Sequence, residues 1–131
     1  MNRLLSRRAG ILVLPLALAG CFEEDRFPSA DVIWVPVTLD GREFTAPATL
    51  TIRPDGTVDG LAPCNRFSGP WQMDETGIVI GPLVSTKMAC PLLEDETAYL
   101  TALQSVTQAD PVGDELTLDG GNHSIVFRTN D

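Results

Sequence analysis

The chain has 131 residues, with 18 acidic side chains against 9 basic ones and a formal charge of −9 at neutral pH. That balance excludes nucleic acid as a partner, because binding to it depends on cations that neutralise phosphates. The length suffices for one domain with one core and leaves no room for a second.

The start of the chain reads as an export signal. Arg3, Arg7 and Arg8 form a basic opening, Ala9 to Ala19 is an apolar stretch too short to span a bilayer comfortably, and small residues follow. Leu18-Ala19-Gly20-Cys21 looks like a bacterial lipobox. Cleavage before Cys21 exposes a thiol for diacylglyceryl attachment and an amine for a further acyl chain such as palmitate, so Cys21 is the expected lipidation site. The alternative is an ordinary secretory signal with a chance cysteine at its end. Each acyl chain contributes about 0.8 kcal/mol per buried methylene, and two or three together hold a protein on the membrane. Loss of residues 1–20 removes three arginines and no acid, which takes the charge from −9 to about −12. Acidity of that size serves solubility or attracts a cationic partner.

Residues 21–30 are polar, acidic and interrupted by Pro28, which suits a tether between lipid and domain. Phe22, not Asp, follows the lipidated cysteine, and Gram-negative sorting then favours the outer membrane. The expected address is the periplasmic face of the cell envelope.

From residue 31 the chain reads mostly as short strands. Val32 to Leu39 is strand-like, and Pro36, which removes a ladder donor, implies an edge or a bulge. Ala48, Leu50 and Ile52 alternate with polar residues, Pro54-Asp55-Gly56 supplies a turn, and Thr57 to Leu61 completes a hairpin. Trp71 to Asp74, Ile78 to Ile80 and Leu83 to Ser85 are further strands, separated by Glu75-Thr76-Gly77 and Gly81-Pro82. One amphipathic helix is expected over about 91–108: Leu92, Tyr99, Leu103 and Val106 follow helical spacing, Pro91 fits the first position, Glu94, Asp95 and Glu96 suit the positive end of the dipole, and Asp110-Pro111 stops it. A closing hairpin places Leu116 and Leu118 against Ile125 and Phe127 around Asp119-Gly120-Gly121-Asn122. No repeat or low-complexity run is present.

Cys64 and Cys90 remain for a structural cross-link, and an oxidising periplasm favours a disulfide between them. It would tie a strand bearing Cys64 to the start of the helix and contribute roughly 3.5 kcal/mol in the loop-entropy model. Two buried free thiols, or a catalytic or metal-binding thiol, are the alternatives. There is no redox Cys-x-x-Cys, and a single histidine without clustered cysteines makes a zinc site implausible.

In order along the chain stand Trp34, an Asp-Gly turn feeding Gly60, Cys64-Asn65-Arg66-Phe67-Ser68-Gly69, Trp71, Thr86-Lys87-Met88-Ala89-Cys90-Pro91, Glu96, Tyr99-Leu100 and the Leu116 to Phe127 hairpin. With this ordered set the chain resembles the META domain, or HslJ-like, family of small bacterial envelope proteins. Two departures are visible: Pro63 stands where glycine is common in the family and Trp71 where tyrosine is usual. The resemblance implies an α+β domain, mainly an antiparallel β meander, partly barrel-like, packed with one helix. It also implies a link to stress response and envelope integrity without an established reaction.

The polar motif residues allow two accounts. Asn65, Ser68 and Thr86 can satisfy backbone groups and hold a tight corner. Alternatively Arg66 and Lys87 form a small cationic spot for a carboxylate or phosphate. Asn65, Arg66, Thr86 and Lys87 are thus the candidate binding residues. His123 and Ser124 are adjacent in a turn, which is no basis for a catalytic triad. Glu94, Asp95 and Glu96 are explained by the helix start. Neither enzymatic activity nor a cofactor or metal is expected. The reading is a monomeric, lipid-anchored protein that binds or scaffolds a periplasmic partner. A small apolar ligand or lipid carrier, and an inhibitor-like or chaperone-like interaction module, are the rivals.

Overall fold

The computed structural model describes residues 10–15 and 32–130. The expected basic start, lipobox, lipidated Cys21 and tether therefore lie outside the described residues. No described helix is long and apolar enough to cross a membrane.

Among the described residues ten strands and one helix follow in chain order: β1 Trp34–Leu39, β2 Arg42–Glu43, β3 Thr51–Ile52, β4 Thr57–Leu61, β5 Arg66–Asp74, β6 Gly77–Ile80, β7 Val84–Ser85, α1 Leu93–Ser105, β8 Gln108–Val112, β9 Glu115–Gly120 and β10 His123–Thr129. All strand pairs are antiparallel. One sheet runs β2-β1-β10-β9-β8, and the other runs β3-β4-β5-β6 with β7 also on β5.

The sheets do not close into a barrel, but they meet at two seams. Trp34 and Leu50 exchange backbone hydrogen bonds of 2.9 and 2.8 Å, and the Ile78 N–H donates to the Thr107 carbonyl at 2.9 Å. The second seam needs a residue without a side chain. Gly77 lies at φ +140°, and a Cβ there would collide with the Thr107 carbonyl oxygen. The expected partly barrel-like character is this pair of narrow contacts.

Helix α1 packs against β6 and β10 and fills the space between the sheets. Tyr99 is fully buried at its centre, with ring centroids 5.7 Å from Phe44, 5.9 Å from Phe67 and 6.4 Å from Phe127. Leu50, Val58, Leu103, Leu116, Leu118, Ile125 and Phe127 are also completely shielded. Burial of each such side chain stabilises the fold by about 1.5–3 kcal/mol.

Local chemistry accounts for much of this. In the β9–β10 hairpin His123 pairs with Gly120, so Gly121 and Asn122 form the loop, both at positive φ (58° and 70°). That is the mirror-image turn whose twist matches its strands. Pro36 sits at the bulge in β1, where the register against β10 slips between Pro36 and Thr38.

Four expectations need correction. The helix spans Leu93–Ser105, not 91–108, so Pro91 precedes it and Leu92 caps it without a side-chain bond. At the far end Val106 turns extended and the Thr107 N–H donates to the Asp119 carbonyl at 2.8 Å, because sheet pairing outweighs another helical turn. Asp110-Pro111 does not stop the helix: both residues lie inside β8, and Pro111 is tolerated because β8 is an edge. Cys64 occupies the turn between β4 and β5, not a strand, while Ser68 sits within β5, not in a corner.

Candidate functional site

The two motif segments meet where β5 begins and α1 starts. Cys64 and Cys90 are disulfide-bonded, 26 residues apart in sequence with Cα atoms 5.6 Å apart. The expected pairing is present, and the free-thiol and catalytic-thiol alternatives are set aside.

Beside the bridge lies a buried polar clamp. Glu96 reaches back from α1, where Oε1 accepts the N–H groups of Cys64 at 3.0 Å and Asn65 at 2.8 Å, and Oε2 accepts Asn65 Nδ2 at 2.7 Å. Asn65 Nδ2 also donates to the Met88 carbonyl at 2.9 Å. Asn65 Oδ1 accepts the Met88 N–H at 2.7 Å and the Thr86 hydroxyl at 2.9 Å. Asn65 thereby uses both amide hydrogens and both lone pairs, its entire capacity. Asn65 is 6% and Glu96 4% exposed, and no buried side-chain polar atom among the described residues lacks a partner.

Asn65 and Thr86 are therefore occupied internally. They join the β4–β5 turn, the segment before α1 and the helix itself. Sequence reasoning placed Glu96 at the helix start and missed this second task. The available signal was position: Glu96 is three residues before Tyr99 and seven before Leu103, on the inward face.

The two candidate cations open onto different depressions. Arg66 lines a groove of about 730 Å³ on the outer face of β3, β4, β5 and β7. Register builds that face: Thr51, Asp59, Ser68 and Val84 form one cross-strand row, and Leu61 with Arg66 the next. Arg53 engages Asp59 through two bonds of 2.6 and 3.2 Å. Arg66 makes no side-chain hydrogen bond or ion pair among the described residues. Ile33, Leu61 and Val84 add aliphatic surface that is 43%, 43% and 68% exposed. Lys87 lines a smaller depression of about 360 Å³ against α1, with Met88, Leu93 and Leu100. Ser85 and Thr86 border both.

His123 has a partner that the sequence did not reveal. Its Nδ1 lies 2.9 Å from Asp40 Oδ2, while Asp40 Oδ1 accepts the Ser124 N–H at 2.9 Å. Those contacts hold the Asp40 carboxyl below the ordinary carboxylate range, the Ser124 N–H contributing most and the His123 side chain next. His123 and Ser124 are successive strand residues, so their side chains leave opposite faces and form no relay. No cluster of three or more His, Cys, Asp or Glu among the described residues is arranged to hold a metal ion.

An open pair of antiparallel sheets, packed on one helix and stapled at a motif corner, defines the class of domain. The family model for the META domain matches residues 29–131, and the chain belongs to that family. Similar solved structures agree. A protein from Burkholderia xenovorans, determined by NMR, is 26% identical with a TM-score of 0.63, over 76% of this chain and 82% of that one. A second NMR structure is 22% identical with a TM-score of 0.64, over 79% of this chain and 92% of its own, and shows the fold alone. No curated protein matches the chain.

Proposed function

We propose that this META-domain protein is a lipid-anchored, non-enzymatic component of the cell envelope that binds or scaffolds a partner on the periplasmic side, in envelope stress or integrity. One observation carries the binding role. The motif's most polar buried groups are consumed by the clamp, whereas an outward groove combines exposed aliphatic side chains with a guanidinium that no described side chain engages. Surface recognition is favoured over carriage of a lipid inside the domain, because Tyr99, Phe127 and the surrounding aliphatic side chains fill the interior. The lipid anchor is supported by the lipobox ending in Cys21.

Two measurements test the reading. Cells fed an alkyne analogue of palmitate should label the wild-type protein and not Cys21→Ala. A photoreactive residue at position 68 should give discrete protein adducts in intact cells. Absence of label overturns the anchor, and absence of adducts overturns the binding role.

A further inference from the structure

The geometry points to the kind of partner this groove takes: an extended peptide segment with a carboxylate side chain placed on Arg66 and flanking aliphatic residues on Ile33, Leu61 and Val84. The inference rests on the binding role proposed above and goes further by assigning the partner's chemistry.

Three features of the site converge. The first is rigidity. Arg66 is held on one side by pairing with Leu61 and on the other by reciprocal bonds with Thr86, its N–H to Thr86 Oγ1 at 3.1 Å and its carbonyl from the Thr86 N–H at 3.1 Å. The residue before it is locked by Glu96 and the one before that by the disulfide. The clamp therefore fixes the stretch of backbone from which the Arg66 side chain projects, so no main-chain freedom has to be given up when it is engaged.

Charge is the second. The neighbouring Arg53 already pairs with Asp59, which leaves Arg66 as the groove cation without a side-chain partner among the described residues. The chain as a whole is strongly acidic. An anionic group on an incoming segment meets net repulsion from the chain as a whole and attraction at Arg66, which favours this place and register within the groove. A guanidinium meets a carboxylate through two parallel hydrogen bonds, a geometry an ammonium cannot reproduce.

Shape is the third. The groove is an open face crossing four strands, with side chains from each, and bordered by the short edge strand β7. An extended chain fits such a surface, with alternate side chains reaching it. A compact ligand would be left mostly in water.

The test uses full-length protein in detergent micelles on an array of random octapeptides. Each sequence is printed twice, once with Glu and once with Gln at one position. Among retained sequences the Glu member should bind at least tenfold more protein than its Gln twin. Arg66→Gln should erase that preference, Arg66→Lys should keep part of it, and Arg42→Gln, which removes the same charge elsewhere, should leave it intact. Near-ultraviolet circular dichroism controls for folding. Equal retention of the twins, a preference that survives Arg66→Gln, or saturable Arg66-dependent binding of dodecanoate without peptide binding would each overturn the assignment. If any of these occurs while position 68 still crosslinks to protein in cells, the partner class is wrong and the binding role stands. If crosslinking fails as well, the binding role itself is lost.

Discussion

Glu96 and Asn65 lie 31 residues apart in sequence, yet one carboxylate accepts both the backbone N–H and the side-chain amide of the same asparagine. A single buried acid thus fixes the turn that opens β5 to the first turn of the helix. Replacing it leaves several buried donors without acceptors, each costing about 1–3 kcal/mol. Glu96→Ala should lower stability by roughly 3 kcal/mol or more in urea unfolding with the disulfide intact. Glu96→Gln, which turns a donor toward a donor, should cost about 1–3 kcal/mol. A loss under 0.5 kcal/mol for both would refute the clamp.

Removing the staple should hurt without destroying the domain. The paired change Cys64→Ala, Cys90→Ala should cost about 3.5 kcal/mol in the loop-entropy model. The bonds of Asn65 to Glu96, Thr86 and Met88 still join the β4–β5 turn, the segment before α1 and the helix, so a cooperative unfolding transition should persist at a lower midpoint. Titration of denatured, unreduced protein should find neither Cys64 nor Cys90 reactive.

Tyr99 is the only tyrosine, so phenolate absorbance reports it alone. Burial pushes its phenol far above the ordinary value, and its hydroxyl donates to the Thr49 carbonyl at 3.0 Å. A raised pKa means that the unfolded chain loses this proton first. The associated stability is complete below about pH 10 and declines as pH rises further. Alkaline titration should show phenolate appearing abruptly with unfolding, as followed by circular dichroism. A smooth ionisation of folded protein near pH 10 would contradict the burial.

Asp40 provides the opposite sign. Its carboxyl is held low, so its contribution is present above the ordinary carboxylate range and is lost as pH falls through the depressed value. Because the Ser124 N–H holds the carboxyl low alongside the His123 ring, His123→Ala should return the Asp40 carboxyl only part of the way in an NMR titration. Full recovery would mean that the imidazole, not the backbone, dominates.

The parts that could be read from sequence are those governed by near neighbours. The Leu116 to Phe127 alternation around Gly121-Asn122 contains its own turn and register. The centre of α1 follows from Tyr99 and Leu103. The rest depends on partners far along the chain. Pro70 looks like a break but lies in β5, opposite Thr57. Gln108 to Val112 looks like a helix end but is claimed by β9. Leu92 and Leu93 fit the helical stripe yet are 36% and 45% exposed, because they stand at the opening end of the helix, where Leu92 is the non-helical cap. Asp40 and His123 meet across 83 residues, a separation at which pattern is silent. Of the motif residues, spacing could show that Arg66 and Lys87 were charged, but only the sheet register shows which face Arg66 occupies.

The pairing of β1 with β10, from Trp34 opposite Thr129 to Leu39 opposite Ile125, joins the two ends of the domain in the middle of a sheet. No nascent fragment emerging from a ribosome or translocation channel can assemble that sheet, since the strand needed by the first is the last to appear. Such high contact order gives folding times on the order of milliseconds to seconds after release. Until then Tyr99 and the rings of Phe44, Phe67 and Phe127 around it stay uncovered.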